Sequence, residues 1–179
     1  NIMEILIIII FLIVYGVLYY LKKKILPGII GAYGEYKVSL KLKRLNKNEY
    51  IVLNDILLKK NSATSQIDHI IICKSGIIVI ETKNYKGWIH GHEKSQYWTQ
   101  TIYKKKNKLL NPIKQNWVHI YALKNILSEH LRIKYFPIIV FAGNAELKNI
   151  TSSIPVIYKR KILRTIRKIN DQNNLSFDQ

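Results

Sequence analysis

The most informative part of the chain is residues 66–83, which read QIDHIIICKSGIIVIETK. Two apolar runs, at residues 67–73 and 77–81, are separated here by a short polar turn. Both runs are rich in Ile and Val, a composition typical of strands that are buried on both faces of a sheet. The segment therefore predicts a β-hairpin in the interior of the fold.

Each strand of this hairpin carries one carboxylate, Asp68 in the first and Glu81 in the second. A buried carboxylate is costly unless it is paired or bound to a metal, so both need a partner. If the turn contains two residues (Lys74 and Ser75) or four, Asp68 lies directly opposite Glu81, with the two Cβ atoms about 4.5–5.5 Å apart. A three-residue turn with Gly76 in the left-handed conformation would place the two carboxylates on opposite faces.

Two partners for these carboxylates are consistent with the spacing. A divalent cation between them would relieve the repulsion of two like charges that face each other. Alternatively, Lys83 forms an ion pair with Glu81 or Asp68 that only stabilises the sheet, since side chains alternate along a strand and Lys83 shares a face with Glu81. The spacing alone leaves both interpretations open.

The same residues resemble the signature of a nuclease superfamily. Asp68, followed by Glu81-Thr82-Lys83 at the end of a hydrophobic strand, is similar to the D…(D/E)xK signature of the PD-(D/E)xK nucleases. Four segments extend the resemblance to the NERD (nuclease-related) domain, over roughly residues 30–145: GAYGE at 31–35, QIDH at 66–69, ETKNYKG at 81–87 and NPIKQ at 111–115. The resemblance implies a restriction-endonuclease-like α/β core, in which helices flank a mixed β-sheet.

The resemblance also implies metal-dependent hydrolysis of DNA and gives a role to each matching residue. Asp68 and Glu81 would bind Mg²⁺ (or Mn²⁺), with the main-chain carbonyl of Thr82 and the side chain of Glu35 completing or extending the ligand shell. Lys83 would orient the attacking water or stabilise the charge that develops on the phosphate. No small-molecule cofactor is implied.

The sequence around Glu35 predicts a helix that begins near Gly34. Apolar residues recur there at helical spacing, and Glu35 lies on the same stripe as Val38 and Leu42, which faces the core. This position suits a residue of the candidate site. The alternative is an ordinary acidic residue in the first helical turn, where the helix dipole favours negative charge.

A second helix is predicted to begin at Asn111 and Pro112, because asparagine is a favoured N-cap and proline is favoured at the first helical position. Gln115 and His119 lie four residues apart on it. Related nucleases carry a Gln-x-x-x-Tyr motif on the corresponding helix, where the glutamine helps to hold the metal site or DNA. By this resemblance Gln115 keeps the role, and His119 departs from the motif.

The rest of the chain supplies further elements of an α/β sandwich. Asp55, in the first predicted strand, lacks a flanking motif and is interpreted as structural. The other predicted elements are strands at 50–58, 88–91, 96–103, 136–141 and 154–158, a basic helix at 159–169, a polar hairpin loop at 59–65 and a charged tip around 104–108.

The charge of the chain favours a polyanionic partner. Twenty-nine Lys and Arg residues against 11 Asp and Glu give a formal net charge of +18. Such an excess is typical of proteins that bind nucleic acid or an anionic membrane surface, although an AT-rich genome, which favours Lys, Asn and Ile, would also produce it. The favoured function is a DNA nuclease; a non-catalytic nucleic-acid-binding or tethering module of the same fold and a lipid-facing scaffold are the alternatives.

The N-terminal region predicts a membrane anchor. Residues 5–21 are 17 consecutive apolar residues, extended by Ile2 and Met3, and this length is near the lower limit for a membrane-spanning helix. Three lysines, 22–24, follow at once, so the positive-inside rule predicts a single-pass protein of the cell membrane whose domain faces the cytoplasm. The predicted divisions are 1–24 for the membrane anchor (through residues 2–21) and basic flank, 25–33 for a hinge, 34–169 for the nuclease-related domain and 170–179 for a polar tail.

Overall fold

Two units make up the chain, Asn1–Tyr33 and Gly34–Gln179, in the computed structural model, which describes residues 1–60, 63–127 and 133–174. The helices are α1 (Ile2–Tyr20), α2 (Leu26–Leu42), α3 (Pro112–Ile126) and α4 (Ile162–Asn174). The strands are β1 (Ile51–Lys60), β2 (Ala63–Cys73), β3 (Gly76–Lys83), β4 (Gly87–His92), β5 (Tyr97–Ile102), β6 (Lys105–Leu110), β7 (Tyr135–Phe141), β8 (Ala145–Thr151) and β9 (Val156–Tyr158).

The first unit is helical and strongly apolar. None of the residues of α1 is buried, and the N-terminal helix is long and apolar enough to cross a membrane. A π-helical turn, Leu21–Ile25, leads into α2, and Pro27 follows directly. Proline lacks an N–H and its ring clashes with the carbonyl four residues earlier, which explains why the helix has a wider turn here. Residues 25–33 are thus helical, and their action as a hinge stays a prediction.

A mixed five-stranded sheet, in the order β1-β2-β3-β7-β9, forms the centre of the second unit. Strand β2 runs antiparallel to both β1 and β3, whereas β3, β7 and β9 run parallel. Val38 of α2 and Ile162 of α4 pack with Ile78 on one face, and Ile120 of α3 packs with Val79 on the other. Helices therefore cover both faces of a mixed sheet, which confirms the predicted α/β class.

The β2–β3 hairpin has the register predicted for a two-residue turn. Cys73 pairs with Gly76, so Lys74 and Ser75 form the turn. The ladder continues without a slip to His69 and Ile80. The next residues along the two strands are Asp68 and Glu81, so the register aligns the two carboxylates.

A second sheet, in the order β6-β5-β4-β8, was not predicted as a separate unit. The sequence predicts β4 and β5, but it places Lys105 and Lys106 in a loop tip, whereas the structure has them in β6 and leaves Lys104 in the turn. Strand β8 was missed because AELKNIT, residues 145–151, lacks a regular apolar alternation. The two sheets meet in a core that contains Trp98 and Phe141.

The C-terminal helix continues beyond the predicted boundary at residue 169. A 3₁₀ turn, Lys159–Lys161, leads into α4, and Asn170, expected in a polar tail, is buried. Its carbonyl accepts a 2.8 Å hydrogen bond from Ser75 Oγ, and its side-chain amide donates to Tyr50 Oη at 3.2 Å. These bonds explain how the polar Asn170 can be buried in the domain. Residues 175–179 lie outside the described part of the chain.

The polar loop expected at 59–65 is shorter than predicted, because β1 extends to Lys60 and β2 begins at Ala63. Residues 61 and 62 lie outside the described residues. The long β1–β2 pair forms one end of the central sheet and brings β1 next to the strand that carries Asp68.

Candidate active site

The end of strand β3 supplies a buried carboxylate and a lysine. Lys83 Nζ donates to Glu81 Oε1 at 2.7 Å, and the two side chains are 14% and 7% exposed. Burial would lower the pKa of Lys83, but the Glu81 carboxylate outweighs it and raises this pKa. The predicted Lys83–Glu81 pair is thus present as a charged hydrogen bond, which is stronger than a neutral one.

Asp68 lies where the β2–β3 ladder ends. Its Oδ2 accepts a 2.7 Å hydrogen bond from the main-chain N–H of Thr82, so this side chain takes the place of a strand partner. Burial first, and then the charge of Glu81, raise the pKa of Asp68 to about 7, although the Thr82 N–H acts in the opposite direction. Burial disfavours the charged form of a carboxyl group, and a second carboxylate nearby adds to this effect.

Strands β1 and β2 rotate at the level of Asp68. Ile67 and Ile71 are four residues apart, and in a regular strand they would share a face, yet they pack in different core clusters on the two sides of the sheet. Val52 and Ile56 of β1 show the same exchange. Both strands therefore exchange sheet faces within one short segment, so the Asp68 side chain does not have to follow the regular alternation of faces.

Asp55 is the β1 residue at this rotation. Its φ is +53°, a left-handed conformation that aspartate adopts more readily than most residues. The flanking pairs are Asn54 with His69 and Ile56 with Ile67, so Asp55 is the residue opposite Asp68. Its Oδ1 accepts a 2.7 Å hydrogen bond from Gln66 Nε2.

Glu35 belongs to the same electrostatic neighbourhood. Burial, followed by the negative charges of Asp55 and Glu81, raises its pKa, while Lys83 acts to lower it. Helix α2 already begins at Leu26, so Glu35 is not in a first helical turn. The alternative interpretation, an acidic residue placed only for the helix dipole, is therefore wrong.

Helix α3 is fixed above strands β3 and β7 by polar contacts. Asn111 caps the helix, accepting a 3.0 Å hydrogen bond from Ile113 N, as the sequence predicts. The buried side chain of Asn116 donates to the carbonyls of Val79 at 2.9 Å and Ile138 at 3.2 Å. These bonds set the position of the helix over the strand that carries Glu81.

His119, which departs from the nuclease motif, contacts the site directly. Its Nε2 lies 3.2 Å from Glu81 Oε2, and its Nδ1 is 2.7 Å from Ser65 Oγ. The first of these is an ion-pair distance without hydrogen-bond geometry, and Glu81 Oε2 accepts no hydrogen bond. Burial alone would raise the pKa of Glu81, but His119 and then Lys83 outweigh it and hold this pKa below its usual value.

Comparison with known proteins gives the family of the chain. Residues 30–142 match the family model of NERD, the nuclease-related domain. The chain belongs to the nuclease-related domain family. The matched residues agree closely with the 30–145 expected from the sequence motifs.

Two individual proteins are similar to this nuclease-related domain protein. An uncharacterized protein of Bacillus anthracis is 42% identical over 110 residues, which cover 61% of this chain and 52% of that protein, so the chain spans about half the length of that relative. The crystal structure of AF1548, a protein of unknown function, covers 76% of this chain and 54% of its own at 12% identity and a TM-score of 0.34, a score too low for structural argument.

Some oxygen atoms of the nuclease-related domain are of the type that a hard divalent cation prefers. Within residues 1–60, 63–127 and 133–174, no group of three or more His, Cys, Asp or Glu side chains is placed to hold a metal ion. However, Glu81 Oε2 and Gln115 Oε1 are buried and accept no hydrogen bond, an arrangement that costs free energy. Mg²⁺ and Mn²⁺ prefer oxygen ligands, so two carboxylates and an amide oxygen form a suitable set.

Two further residues of the nuclease-related domain lie beside the predicted site residues. Asp55 was interpreted as structural, yet it lies opposite Asp68 and its charge acts on Glu35. His119 was set aside because the family motif has tyrosine there, yet it contacts Glu81. The signal for His119 was its four-residue spacing from Gln115; the signal for Asp55 depends on the β1–β2 register, which local sequence does not give.

Proposed function

We infer that this nuclease-related domain hydrolyses phosphodiester bonds in DNA with the help of Mg²⁺ or Mn²⁺. The observation that supports this function is the alignment of Asp68 with Glu81 at the end of β3, where Lys83 Nζ lies 2.7 Å from the Glu81 carboxylate. A nucleophilic water, a metal and a charge-stabilising lysine are the parts that such a reaction requires.

The carboxylates Asp68 and Glu81 would hold the metal, with the Thr82 carbonyl and Glu35 as further ligands. The hydrogen bond from Thr82 N to Asp68 Oδ2 orients this carboxylate. When bound, the ion would polarise the scissile phosphate and lower the pKa of the attacking water. The buried Gln115 Oε1 is available for the cation or for a group of the DNA.

Lys83 and His119 act on Glu81 from two sides. Lys83 contacts Oε1 and His119 faces Oε2, so the carboxylate is held in one orientation at the end of β3. With a cation held at Glu81, Lys83 would orient the attacking water or stabilise the charge that develops on the phosphate.

The N-terminal helix would place this chemistry at a membrane. Helix α1 is long and apolar enough to span it, and Lys22–Lys24 follow its apolar part. Positively charged residues next to a span favour the cytoplasmic side. The domain would therefore act on DNA at the cytoplasmic face of the cell membrane.

The direct test incubates the full chain, in neutral-lipid nanodiscs, with plasmid DNA in EDTA, Mg²⁺, Mn²⁺ or Ca²⁺. We expect cleavage with Mg²⁺ or Mn²⁺, none in EDTA, and little with Ca²⁺, because its looser coordination positions the water poorly. Asp68→Asn, which keeps the shape of the side chain, is the control for a contaminating nuclease. Salt-sensitive DNA binding without cleavage in any metal would favour the non-catalytic binding module instead.

A further inference from the structure

A cleft lies at the carboxyl ends of the parallel strands of the central sheet. It has a volume of about 400 Å³, and its walls are the segment Phe141–Ala145, which follows β7, and the segment Tyr158–Arg160, which follows β9. In open α/β sheets the carboxyl ends of parallel strands are where ligands characteristically bind. The position of the cleft is therefore that of a ligand site, separate from the residues already assigned.

The cleft is next to the candidate active site. Lys83, Phe141 and Tyr158 are aligned across the neighbouring strands β3, β7 and β9. Because adjacent strands lie about 4.8 Å apart, the cleft begins roughly one strand spacing from Lys83 and extends to roughly 10 Å from it. A polymer whose reacting group lies at Lys83 would thus pass along the cleft.

The wall between the cleft and the active site is tightly packed. A Cβ atom added at Gly143 would overlap the carbonyl oxygen of Tyr85 and would approach the Asn84 side chain to 2.7 Å. Tyr85 and Asn84 directly follow Lys83 in the chain. Only glycine lets the turn after β7 approach this segment so closely, and the contact fixes the distance between the cleft and Lys83.

The cleft carries positive charge that the neighbouring protein does not neutralise. Burial, and then the positive charges of Lys37 and Lys41 on α2, lower the pKa of Lys159, which is half-buried. Arg160 extends the charge, with its guanidinium 5.5 Å from the centre of the Tyr158 ring. Among the described residues, the ion pairs found do not include Lys159 or Arg160. An anion in the cleft would relieve this repulsion.

We propose that the cleft binds a backbone phosphate of the DNA strand whose scissile phosphate lies at Glu81 and Lys83. This inference rests on the proposed function, since the neighbouring site defines which polymer passes the cleft. The contact fixes the register of the strand and increases affinity without reading its sequence, because phosphates carry no base information. Lys159 supplies the direct contact and Arg160 contacts the same or the next phosphate.

The first test measures the salt dependence of binding to a 20-base-pair duplex in EDTA, with the full chain in neutral phosphatidylcholine nanodiscs. Each lost phosphate contact should reduce the slope of log K against log salt by about 0.9 for duplex DNA. Lys159→Ala should show this reduction, and Lys159→Arg should retain the wild-type slope. The matched control is Lys74→Ala, an exposed lysine in the β2–β3 turn, at the opposite end of β3 from Lys83. Equal slopes for Lys159→Ala and Lys74→Ala would overturn the proposal.

The second test locates the contact on the DNA. A set of duplexes, each with a single uncharged methylphosphonate, is bound in Ca²⁺ by the wild type and by Lys159→Ala. At one position the substitution should weaken binding by the wild type but leave binding by Lys159→Ala unchanged, as expected when both changes remove the same contact. If every methylphosphonate weakens binding by the same factor in both proteins, the assignment is contradicted. Melting temperatures of all variants check that the fold is intact.

Two other outcomes are separable from the proposed function. If Lys159→Ala lowers the amount of phosphatidylglycerol retained by the purified protein but leaves DNA binding unchanged, the cleft holds a lipid headgroup and the proposal is overturned. Both tests above measure DNA binding and do not depend on turnover. A failure to cleave DNA would therefore bear on the proposed metal site and not on the cleft. If the wild type does not cleave DNA but its salt slope still depends on Lys159, the nuclease function is refuted and the assignment of the cleft as a phosphate site stands.

Discussion

Glu81 is a buried carboxylate whose two oxygens lie in different surroundings. Oε1 accepts a charged hydrogen bond from Lys83, whereas Oε2 faces His119 and accepts none. Burial opposes ionisation, but these contacts outweigh it and keep the pKa below the ordinary value. These contacts favour the ionised form of Glu81, whereas burial and the charge of Glu81 raise the pKa of Asp68.

Alanine at either carboxylate tests whether they share one cation. Asp68→Ala and Glu81→Ala should each abolish cleavage, and the double variant should be no worse, because residues that act as a unit are not additive. Mn²⁺ should raise the melting temperature of the wild type but not of these variants. Glu146→Ala, which removes an exposed carboxylate paired with Lys148, is the control and should cleave normally. Additive losses in the double variant would argue against a shared ion.

Lys83→Ala separates catalysis from sheet stability. If Lys83 stabilises charge on the phosphate, the variant should keep Mn²⁺ binding and lose about 10²–10³-fold in single-turnover cleavage rate. If the lysine serves only as an ion pair, the variant should lose thermal stability. The change in its melting temperature on adding Mn²⁺ should then not differ from that of the carboxylate variants. Lys148→Ala breaks an exposed pair and should change neither quantity, since surface pairs contribute little.

His119 is a positioning residue for Glu81, and its replacement should act through the metal. His119→Ala removes the ring that faces Oε2, so the affinity for Mn²⁺ should fall by about 10–100-fold, the usual cost of losing a partner of a ligand. His119→Gln, which can keep a donor near the Nε2 position, should recover part of this loss. Calorimetric titration with Mn²⁺ measures both. Unchanged affinity with a lower melting temperature would assign His119 to stability alone.

At the scale of elements, local sequence predicts the elements that begin at a turn or a cap, namely the β2–β3 hairpin and helix α3. The sequence predicts the β2–β3 hairpin but leaves the length of its turn open, and the observed two-residue turn at Lys74 and Ser75 is the one that aligns Asp68 with Glu81. Asn111 with Pro112 is sufficient to begin α3. These features depend on neighbouring residues and on simple alternation or periodicity. The hairpin and the capped helix therefore followed from the sequence, as did the residues that match the family motifs.

Features that depend on distant contacts were not predictable in the same way. The face exchange of β1 requires the backbone of Asp55 to be left-handed, and nothing in NDI, residues 54–56, indicates this. The contact of His119 with Glu81 requires α3 to lie at one height over β3, which Asn116 sets through bonds to Val79 and Ile138. Tertiary geometry, not local propensity, brings these residues together.

The left-handed conformation of Asp55 leads to a stability prediction for β1. Asp55→Val should destabilise the domain by about 1–2 kcal/mol, the cost of the left-handed region for an ordinary residue, because a β-branched side chain crowds its own carbonyl there. Asp55→Asn should be nearly neutral, since asparagine tolerates this region and can still accept from Gln66. Chemical unfolding of the two variants measures the difference. Equal stability of the valine and asparagine variants would contradict the strained-strand account.

At the scale of the whole molecule, charge and hydropathy are divided between the two units. The first 21 residues contain one side chain that is charged at neutral pH, Glu4, whereas most of the +18 net charge belongs to the second unit. A basic domain tethered at the cytoplasmic face experiences an anionic lipid surface as well as nucleic acid. With the domain at the cytoplasmic face, as proposed above, lipid and DNA would compete for the same charge, and DNA binding should be weaker in anionic than in neutral nanodiscs at equal salt.

The orientation of the anchor is the prediction that joins these two units. Because Lys22–Lys24 directly follow the apolar run, a reporter fused after Gln179 should be active only in the cytoplasm, and carbonate should not extract the protein. Replacing these three lysines by glutamate should weaken the orientation preference. The control replaces Lys104–Lys106, which lie too far from the span to influence insertion. Reporter activity outside the cytoplasm, or release by carbonate, would place the domain away from its proposed DNA substrate, whatever the chemistry of Asp68 and Glu81.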